Sequence, residues 1–345
     1  VWQLPASVAM ARFTAAGRRV DIQKLALTNA QKLEVLNRLE VALSPAHRSQ
    51  SYRLLTANCA TRPRDLIDAV TSGSLATAGR KGSATTLRQN VLALPTPFLV
   101  KLLLDFTFNN DVDRRETAWE AAALPGKLEE LARSAMVRGE NNIARPLVAD
   151  SWSFGKEPAG SGPVEDGLKF LIVGVALSAI ALSALVVKGP RISRTISAIT
   201  NVVLGFVIGL PGALLLLGWV FTDRDYVFHN ANLFIANPAL IAAIPLGVAI
   251  VLDSEWSHRW TRRLWISSAC LGAVGLIEAL IASHSQDNLR FYGLLLPLIA
   301  AQALVEWRRA SSSVKTVHER RTTTLLLERN GVTNGANDVE SHAAA

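Results

Sequence analysis

Cysteine and histidine are scarce in this chain, and their scarcity removes several kinds of chemistry. Two cysteines and six histidines are spread over 345 residues. Two thiols cannot build the disulfide framework of a small secreted domain. No grouping of histidine, cysteine and acid has metal-ligand spacing, so neither a metal nor another cofactor is expected. A glycine-rich phosphate loop and a Gly-x-Ser-x-Gly elbow are both missing, which argues against a P-loop nucleotide site and a serine hydrolase. The formal net charge is +8. No basic run carries interleaved aromatics, however, so nucleic acid is not an expected partner.

Charge is also thin along the second half, and this thinness is informative. Five apolar segments follow one another there: Gly167–Val187, Ile196–Phe221, Leu233–Leu252, Leu264–Ala282 and Phe291–Trp307. A helix needs about 20 apolar residues to cross the hydrocarbon core of a bilayer. The fifth segment is the shortest, and the reading is an all-α transmembrane domain of five helices over 167–307. The loops alternate in charge. Lys188, Arg191 and Arg194 lie in the first connection, Arg259, Arg262 and Arg263 in the third, and Arg308 and Arg309 open the tail. Short loops rich in Lys and Arg stay cytoplasmic. Five spans then put residues 1–166 outside the cytoplasm and the C-terminus inside. The tail, 308–345, is polar after its basic start and is expected to be disordered. A protein so built works at a membrane.

The first 137 residues read as an α+β outer domain, with 138–166 as a linker rich in Gly, Pro and mixed charge. Residues 18–27 alternate like a strand. Thr28 and Gln31 have capping-box spacing, and the helix from Asn29 to about Leu43 should pack Leu33, Leu36, Leu39 and Leu43 on a core. A second helix is expected from about Pro63 to Val70, ended by Ser72-Gly73, with a loop over Ser72–Ser83. Val91–Phe108 is apolar but too short to span, and it holds Lys101 and Asp105. It reads either as a core helix or as an interfacial segment at the headgroups. Thr117 and Glu120 make a second capping box, before Ala121–Leu124. Pro125-Gly126 breaks the chain before a helix over Lys127–Met136.

The two cysteines fall on different sides of this plan. Cys270 is inside the fourth apolar segment, where a small apolar side chain is ordinary packing. Cys59 lies in the outer domain, where an extended stretch meets a helix. A helix N-terminus and the nearby Arg62 and Arg64 would favour its thiolate. A thiolate nucleophile needs a base, commonly His. His47 is the only histidine of the outer domain and sits in the polar turn Ser44-Pro45-Ala46-His47-Arg48, as a loop residue. A buried structural thiol and a nucleophile both fit the local residues.

Three blocks of residues carry a resemblance. The first is Leu25–Thr28 with Tyr52-Arg53-Leu54-Leu55-Thr56-Ala57-Asn58-Cys59-Ala60-Thr61-Arg62-Pro63-Arg64-Asp65. The second is Asp113–Glu120 followed by Leu124-Pro125 and Leu128. The third is Phe221-Thr222-Asp223 with Asn230-Ala231-Asn232-Leu233 and Pro238. Together they resemble the Lnb-type lipoprotein N-acyltransferases. The resemblance implies a papain-like, NlpC-type extracytoplasmic domain in which Cys59 and Asn58 are catalytic. Thr61, Arg64 and Asp65 would support them, and Asn230 and Asn232 would belong to a membrane-proximal loop. It further implies a bacterial inner-membrane protein with its N-terminal domain in the periplasm. A phospholipid would be the acyl donor and a lipoprotein the acceptor. Cys59 would take the acyl chain as a thioester, with backbone amides near Asn58–Ala60 as oxyanion donors. Such permuted papain-like domains carry a Gly-His motif before the Cys, and none precedes Cys59 here. Together with the start at Val1 without a signal peptide, this leads to the expectation of an N-terminally incomplete outer domain. Arg224 stands where the Thr-Asp-x loop would be expected to hold a His.

Two other readings accompany this one. A membrane-anchored cysteine peptidase or amidase of the cell envelope would use the same thiol, but it needs at most one span. A non-catalytic membrane scaffold would leave Cys59 inert. A transporter fits less well, because the middles of the spans hold Glu278 and almost no other charge.

Overall fold

A computed structural model describes residues 5–47, 52–139, 141–155, 167–187, 189–252, 254–281 and 286–329. The chain divides into two units. One holds residues 1–165 together with the short segment 221–230, and the other holds the rest.

The N-terminal unit mixes helix and strand. In order it contains α1 (Ala6–Ala15), β1 (Val20–Leu25), α2 (Asn29–Leu43), α3 (Thr61–Val70), α4 (Ser74–Ala78), β2 (Gly82–Thr86), α5 (Leu87–Leu92) and α6 (Phe98–Thr107). Then come β3 (Arg115–Thr117), α7 (Ala118–Ala121), α8 (Pro125–Ser134), β4 (Met136–Arg138), β5 (Ala144–Pro146) and β6 (Val148–Phe154). The described strands form three two-stranded antiparallel sheets, β1–β6, β2–β3 and β4–β5. No larger central sheet joins them among the described residues.

Local signals account for most helix starts. Thr28 Oγ1 accepts from the Gln31 amide at 3.2 Å, and Gln31 Oε1 accepts from the Thr28 amide at 2.8 Å, so the expected capping box forms. Thr117 and Glu120 cap α7 in the same way. A third box, Thr86 with Gln89, starts α5 and was not anticipated. Ser72 and Gly73 both have positive φ and end α3 as expected.

Several expectations are corrected. The leucines of α2 do not face a core: Leu33 is 62% exposed and Leu36 is 56% exposed, and no residue of that helix is buried. Residues 72–83 are not all loop, because α4 and the start of β2 occupy them. Val91–Phe108 is not one helix. Pro95 and Pro97 interrupt it, since proline disfavours helical geometry in the residue before it, and α6 begins only at Phe98. Pro125 does not break a helix but occupies the first turn of α8, where a missing N–H costs nothing. The stretch 138–166 is not only linker. β6 pairs with β1 from Val20↔Phe154 to Leu25↔Val148. Its residues beyond Val148 are exposed, so the strand rests on its pairing with β1 rather than on a buried face.

Two apolar clusters hold the unit together. One gathers Leu75, Ala122, Leu131, Ala132, Val137 and Leu147 from α4, α7, α8 and the β4–β5 region. The other gathers Leu87, Val91, Phe108 and Val112 around α5. Beside the second lies a buried cation, Arg88. It donates to Asp113 Oδ1 at 2.5 Å and Asp105 Oδ1 at 2.6 Å, and to the carbonyls of Asp105, Phe108 and Asn109 at 2.8–3.0 Å. Burial opposes its charge, but the Asp113 and Asp105 carboxylates outweigh that and raise its pKa above the ordinary value. Asn109 then receives the segment 221–230. Its amide nitrogen donates to the Tyr226 carbonyl at 2.9 Å, and its Nδ2 donates to the carbonyls of Asp225 and Phe228.

The second unit has five helices long and apolar enough to cross a membrane. They cover Gly167–Val186, Arg191–Phe221, Asn232–Val251, Trp256–Ile281 and Leu289–Arg309. The first is α9 (Gly167–Val186), and the second is α10 (Pro190–Leu204) and α11 (Leu210–Phe221) joined by a π-helical turn at Gly205–Gly209. The third is α12 (Asn232–Ile235), a 3-10 turn at Pro238–Ala242 and α13 (Ala243–Val251). The fourth is α14 (Glu255–Ile281). The fifth lies within α15 (Leu289–Arg329), which stays helical past the expected span end into the stretch read as a disordered tail. Residues 330–345 of that tail lie outside the described residues. The fifth span, expected to be the shortest, runs 21 residues against 20 for the first and third, and it is the most enclosed, 61% buried against 22% for the first.

The break in the third span exposes backbone that lipid cannot satisfy, and such backbone survives at membrane depth only when packed in protein. Glycines of the second span do the packing. A Cβ added at Gly209 would lie 2.4 Å from the Ile241 nitrogen, and one at Gly212 would lie 1.9 Å from the Ala236 carbonyl oxygen. Small residues one turn apart allow this approach. A polar cluster also ties the spans. Glu306 accepts from Ser197, from Asn201 Nδ2 at 3.1 Å and from Gln302 Nε2 at 2.9 Å, while Asn201 Oδ1 accepts from Trp265 at 2.6 Å. We predict that Gly212→Ala separates the second and third spans and costs about 1–3 kcal/mol. Thermal unfolding of the detergent-solubilised chain checks this, with Gly126→Ala, which meets open space, as the neutral control.

Candidate functional site

The Cys59 segment begins as a tight loop. Arg53 and Ala57 exchange backbone hydrogen bonds at 3.1 Å, closing the turn that delivers Asn58. Asn58 is buried and makes four side-chain bonds. Its Nδ2 donates to the Leu54 carbonyl at 2.6 Å and to the Ala123 carbonyl at 2.8 Å. Its Oδ1 accepts from the amides of Ala60 and Thr61, both at 2.8 Å. Thr61, fully buried, accepts from the Asn58 amide at 2.8 Å through its hydroxyl. Helix α3 therefore starts at Thr61, two residues earlier than expected, and Asn58 does the work of a cap although Ala60 holds the cap position.

Cys59 sits between these clamped residues and is exposed. The local geometry revises one expectation. The amides of Asn58 and Ala60 are occupied by Thr61 and by Asn58 itself, so they cannot serve as oxyanion donors as they stand. Of the three amides expected there, that of Cys59 is the one these bonds leave out. Arg64 also turns elsewhere: it is buried, ion-pairs with the exposed Asp65 at 2.8 Å, donates to the Trp119 carbonyl at 2.9 Å, and stacks 4.0 Å from the Trp119 ring. Its role is to fasten α3 to α7, with Asp65 as its outer partner.

Arg64 and Asn58 thus bring the first and second sequence blocks together, through Trp119 and Ala123. The third block divides. Asn230 is buried in the N-terminal unit, where its Nδ2 donates to the carbonyls of Thr107 at 2.9 Å and Phe106 at 3.3 Å. Asn232 belongs to the other unit, where its Oδ1 accepts from Asn288 at 3.0 Å. Asn230 thus fixes the backbone at the end of α6, and Asn232 pairs with Asn288 just before α15. His47 is a loop residue as expected, its Nδ1 3.0 Å from the Ser44 hydroxyl. Among the described residues, no group of three His, Cys, Asp or Glu could hold a metal.

Sequence reasoning missed Glu116, beside the capping box of α7. It is buried and faces Asn90, whose Nδ2 donates to it at 3.5 Å, and Asn90 in turn accepts from Thr85. Burial pushes its carboxyl up to about 7, with the Glu120 charge acting the same way. Glu120, bonded to Arg114 at 2.7 Å, is held at about 2 instead. The only available signal was an acid just before the box. Arg88 was missed too, although Asp105 within an apolar helix asks for a partner.

The described geometry defines a class: a membrane protein of five spanning helices with an extramembrane domain that presents one thiol on a clamped loop. Two family models match. The Lnb N-terminal periplasmic domain matches residues 7–103, and the Lnb transmembrane domain matches residues 165–305. The chain belongs to the Lnb family, and its N-terminal unit is a periplasmic domain on an inner-membrane protein. No curated protein and no solved structure matches it.

Asn58→Ala orphans two buried carbonyls and two amides and should cost about 2–4 kcal/mol. It should also raise the alkylation rate of Cys59, read by mass spectrometry on the folded chain, because the loop loses its clamp. For Glu116, the folded carboxyl binds its proton up to about pH 7 while the unfolded one releases it near 4.5. The folded state then holds more protons than the unfolded between those values, so stability falls as pH rises from 4.5 to about 7. Glu116→Gln should flatten that fall, as measured by thermal unfolding across this range.

Proposed function

We propose that the protein is a lipoprotein N-acyltransferase with Cys59 as its nucleophile. The observation that carries this is an exposed thiol, placed by Asn58 just before a helix, in the periplasmic domain of an Lnb-family chain with five spanning helices. In this reading the N-terminal unit is a papain-like, NlpC-type domain, a type in which the reactive thiol leads into a helix. Residues 1–137, with Asn58, Thr61, Arg64 and Asp65 as positioning residues, supply the site, and the basic loops hold the C-terminus in the cytoplasm.

The reaction has two steps. Cys59 Sγ, as thiolate, attacks an ester carbonyl of a membrane phospholipid. The tetrahedral oxyanion collapses, the ester C–O bond breaks, and the lysophospholipid oxygen leaves with the proton that the thiol gave up on forming the thiolate. The acyl chain is now a thioester on Cys59. The free α-amine at the lipoprotein's N-terminal cysteine attacks this thioester. The C–S bond breaks, an amide forms, and the amine's proton restores the thiol. Dividing one difficult transfer into two easier ones is the gain from a covalent intermediate. The Cys59 amide, left out of the surrounding bonds, is the available backbone donor for the oxyanion. Five spans favour a lipid donor over a peptide substrate, because a peptidase needs at most one anchor.

The test uses a host in which the full-length protein is the sole enzyme of this kind. Cys59→Ala should reduce N-acylated lipoprotein to background at unchanged protein level. Wild-type protein purified with phospholipid but without acceptor should carry an acyl adduct on Cys59 that hydroxylamine releases. Normal lipoprotein N-acylation in the Cys59→Ala strain would refute the reading.

A further inference from the structure

Helix α6 has a face that neither core of the N-terminal unit uses. Phe98 is 60% exposed, Leu99 is 64% exposed and Leu103 is 53% exposed. Leu94, just before the helix, is exposed as well. The opposite face is fully committed. Lys101, Asp105 and Phe106 are buried, and Asp105 is held by Arg88 at 2.6 Å. Between Val91 and Leu104 the sequence has a single charge, that of Lys101, and it points inward. The outward face is therefore uncharged and apolar, while the charged residues of the helix anchor it to the domain.

The chain itself says what this face meets. The C-terminal carbonyls of α6, on Phe106 and Thr107, accept from Asn230. Asn230 stands two residues before Asn232, where the third span begins. Two residues reach at most about 7 Å. At the other end of the same segment, Phe221 closes the second span. The segment 221–230 is thus part of the N-terminal unit and is pinned to the bilayer at both ends. The end of α6 that it grips is therefore joined, through a few residues of chain, to the start of a span. A ten-residue helix is about 15 Å long, so its whole apolar face can lie at headgroup depth.

We propose that α6 is an interfacial helix, lying in the leaflet that the periplasmic domain faces, with Phe98, Leu99 and Leu103 among the upper acyl methylenes. Such helices bind through apolar area buried just below the headgroups. Here the polar side is docked on protein, which fixes the helix in place. A second copy of the chain is the poorer occupant. The exposed side of one short helix offers a few hundred Å² at most, below the roughly 800 Å² per partner of a stable interface. The inference does not depend on the acyl-transfer reading, and its test does not read activity.

Spin labels test it in the full chain reconstituted in phosphatidylethanolamine–phosphatidylglycerol vesicles. On a Cys59→Ser, Cys270→Ser background, Leu99→Cys and Leu103→Cys carry the label, and Leu33→Cys and Ile143→Cys serve as exposed controls. Labels on α6 should collide with dissolved oxygen several-fold more than with a water-soluble nickel chelate, and the controls should show the reverse. Chelate access equal to the controls would overturn the proposal. Shielding from both relaxants, with spin–spin broadening at high protein density, would assign the face to a second copy and overturn it as well. Independently of any substitution, phospholipid with a diazirine high in its acyl chain should crosslink to residues 94–103. Crosslinks confined to the five spans would contradict it.

Discussion

Arg88 is the interaction on which the N-terminal unit turns. A guanidinium taken out of water costs several kcal/mol unless its donors are met. Here two carboxylates and three carbonyls meet them, from Asp105, Asp113, Phe108 and Asn109. The consequence is geometric more than energetic. Binding Asp105 sets the rotation of α6 and so decides that Phe98, Leu99 and Leu103 face outward. Binding the Phe108 and Asn109 carbonyls orients the turn from which Asn109 holds the segment between the second and third spans. One buried cation thus sets the direction of an apolar face and the docking of a membrane-borne loop.

The thiol site rests on a neutral version of the same device. Asn58 has two donors and two acceptor lone pairs, and all four are used. An aspartate would lose the donors, and a serine could not reach both sides. By consuming the first amides of α3, Asn58 leaves Cys59 as the uncommitted residue of its loop. Arg64 adds the second fastening, to Trp119. The carboxyls at 116 and 120 show how environment divides like groups: burial keeps Glu116 near neutrality, while Arg114 keeps Glu120 ionised.

The membrane unit is built on close approach. Its glycines let the second span touch the broken backbone of the third, and a buried polar cluster gathers spans two, four and five around Glu306. Interhelical hydrogen bonds and small residues serve this purpose where lipid supplies no hydrophobic drive.

The amino-acid sequence by itself determined what depends on local pattern or on counting. Five runs of apolar residues declare five spans, because hydrocarbon thickness sets their length. Two capping boxes declare helix starts, because the bonds run between residues three apart. The Asn-Cys block declares a family. Other features depended on partners far along the chain, and there the tertiary structure decided. β6 buries little beyond Val148, so its pairing with β1, more than a hundred residues away, makes it a strand. The leucines of α2 have core spacing, yet spacing says only that they share a face and not that anything covers it. Arg88, Asn58 and the glycines at 209 and 212 are single residues whose meaning lies in what packs against them, and no periodicity records that.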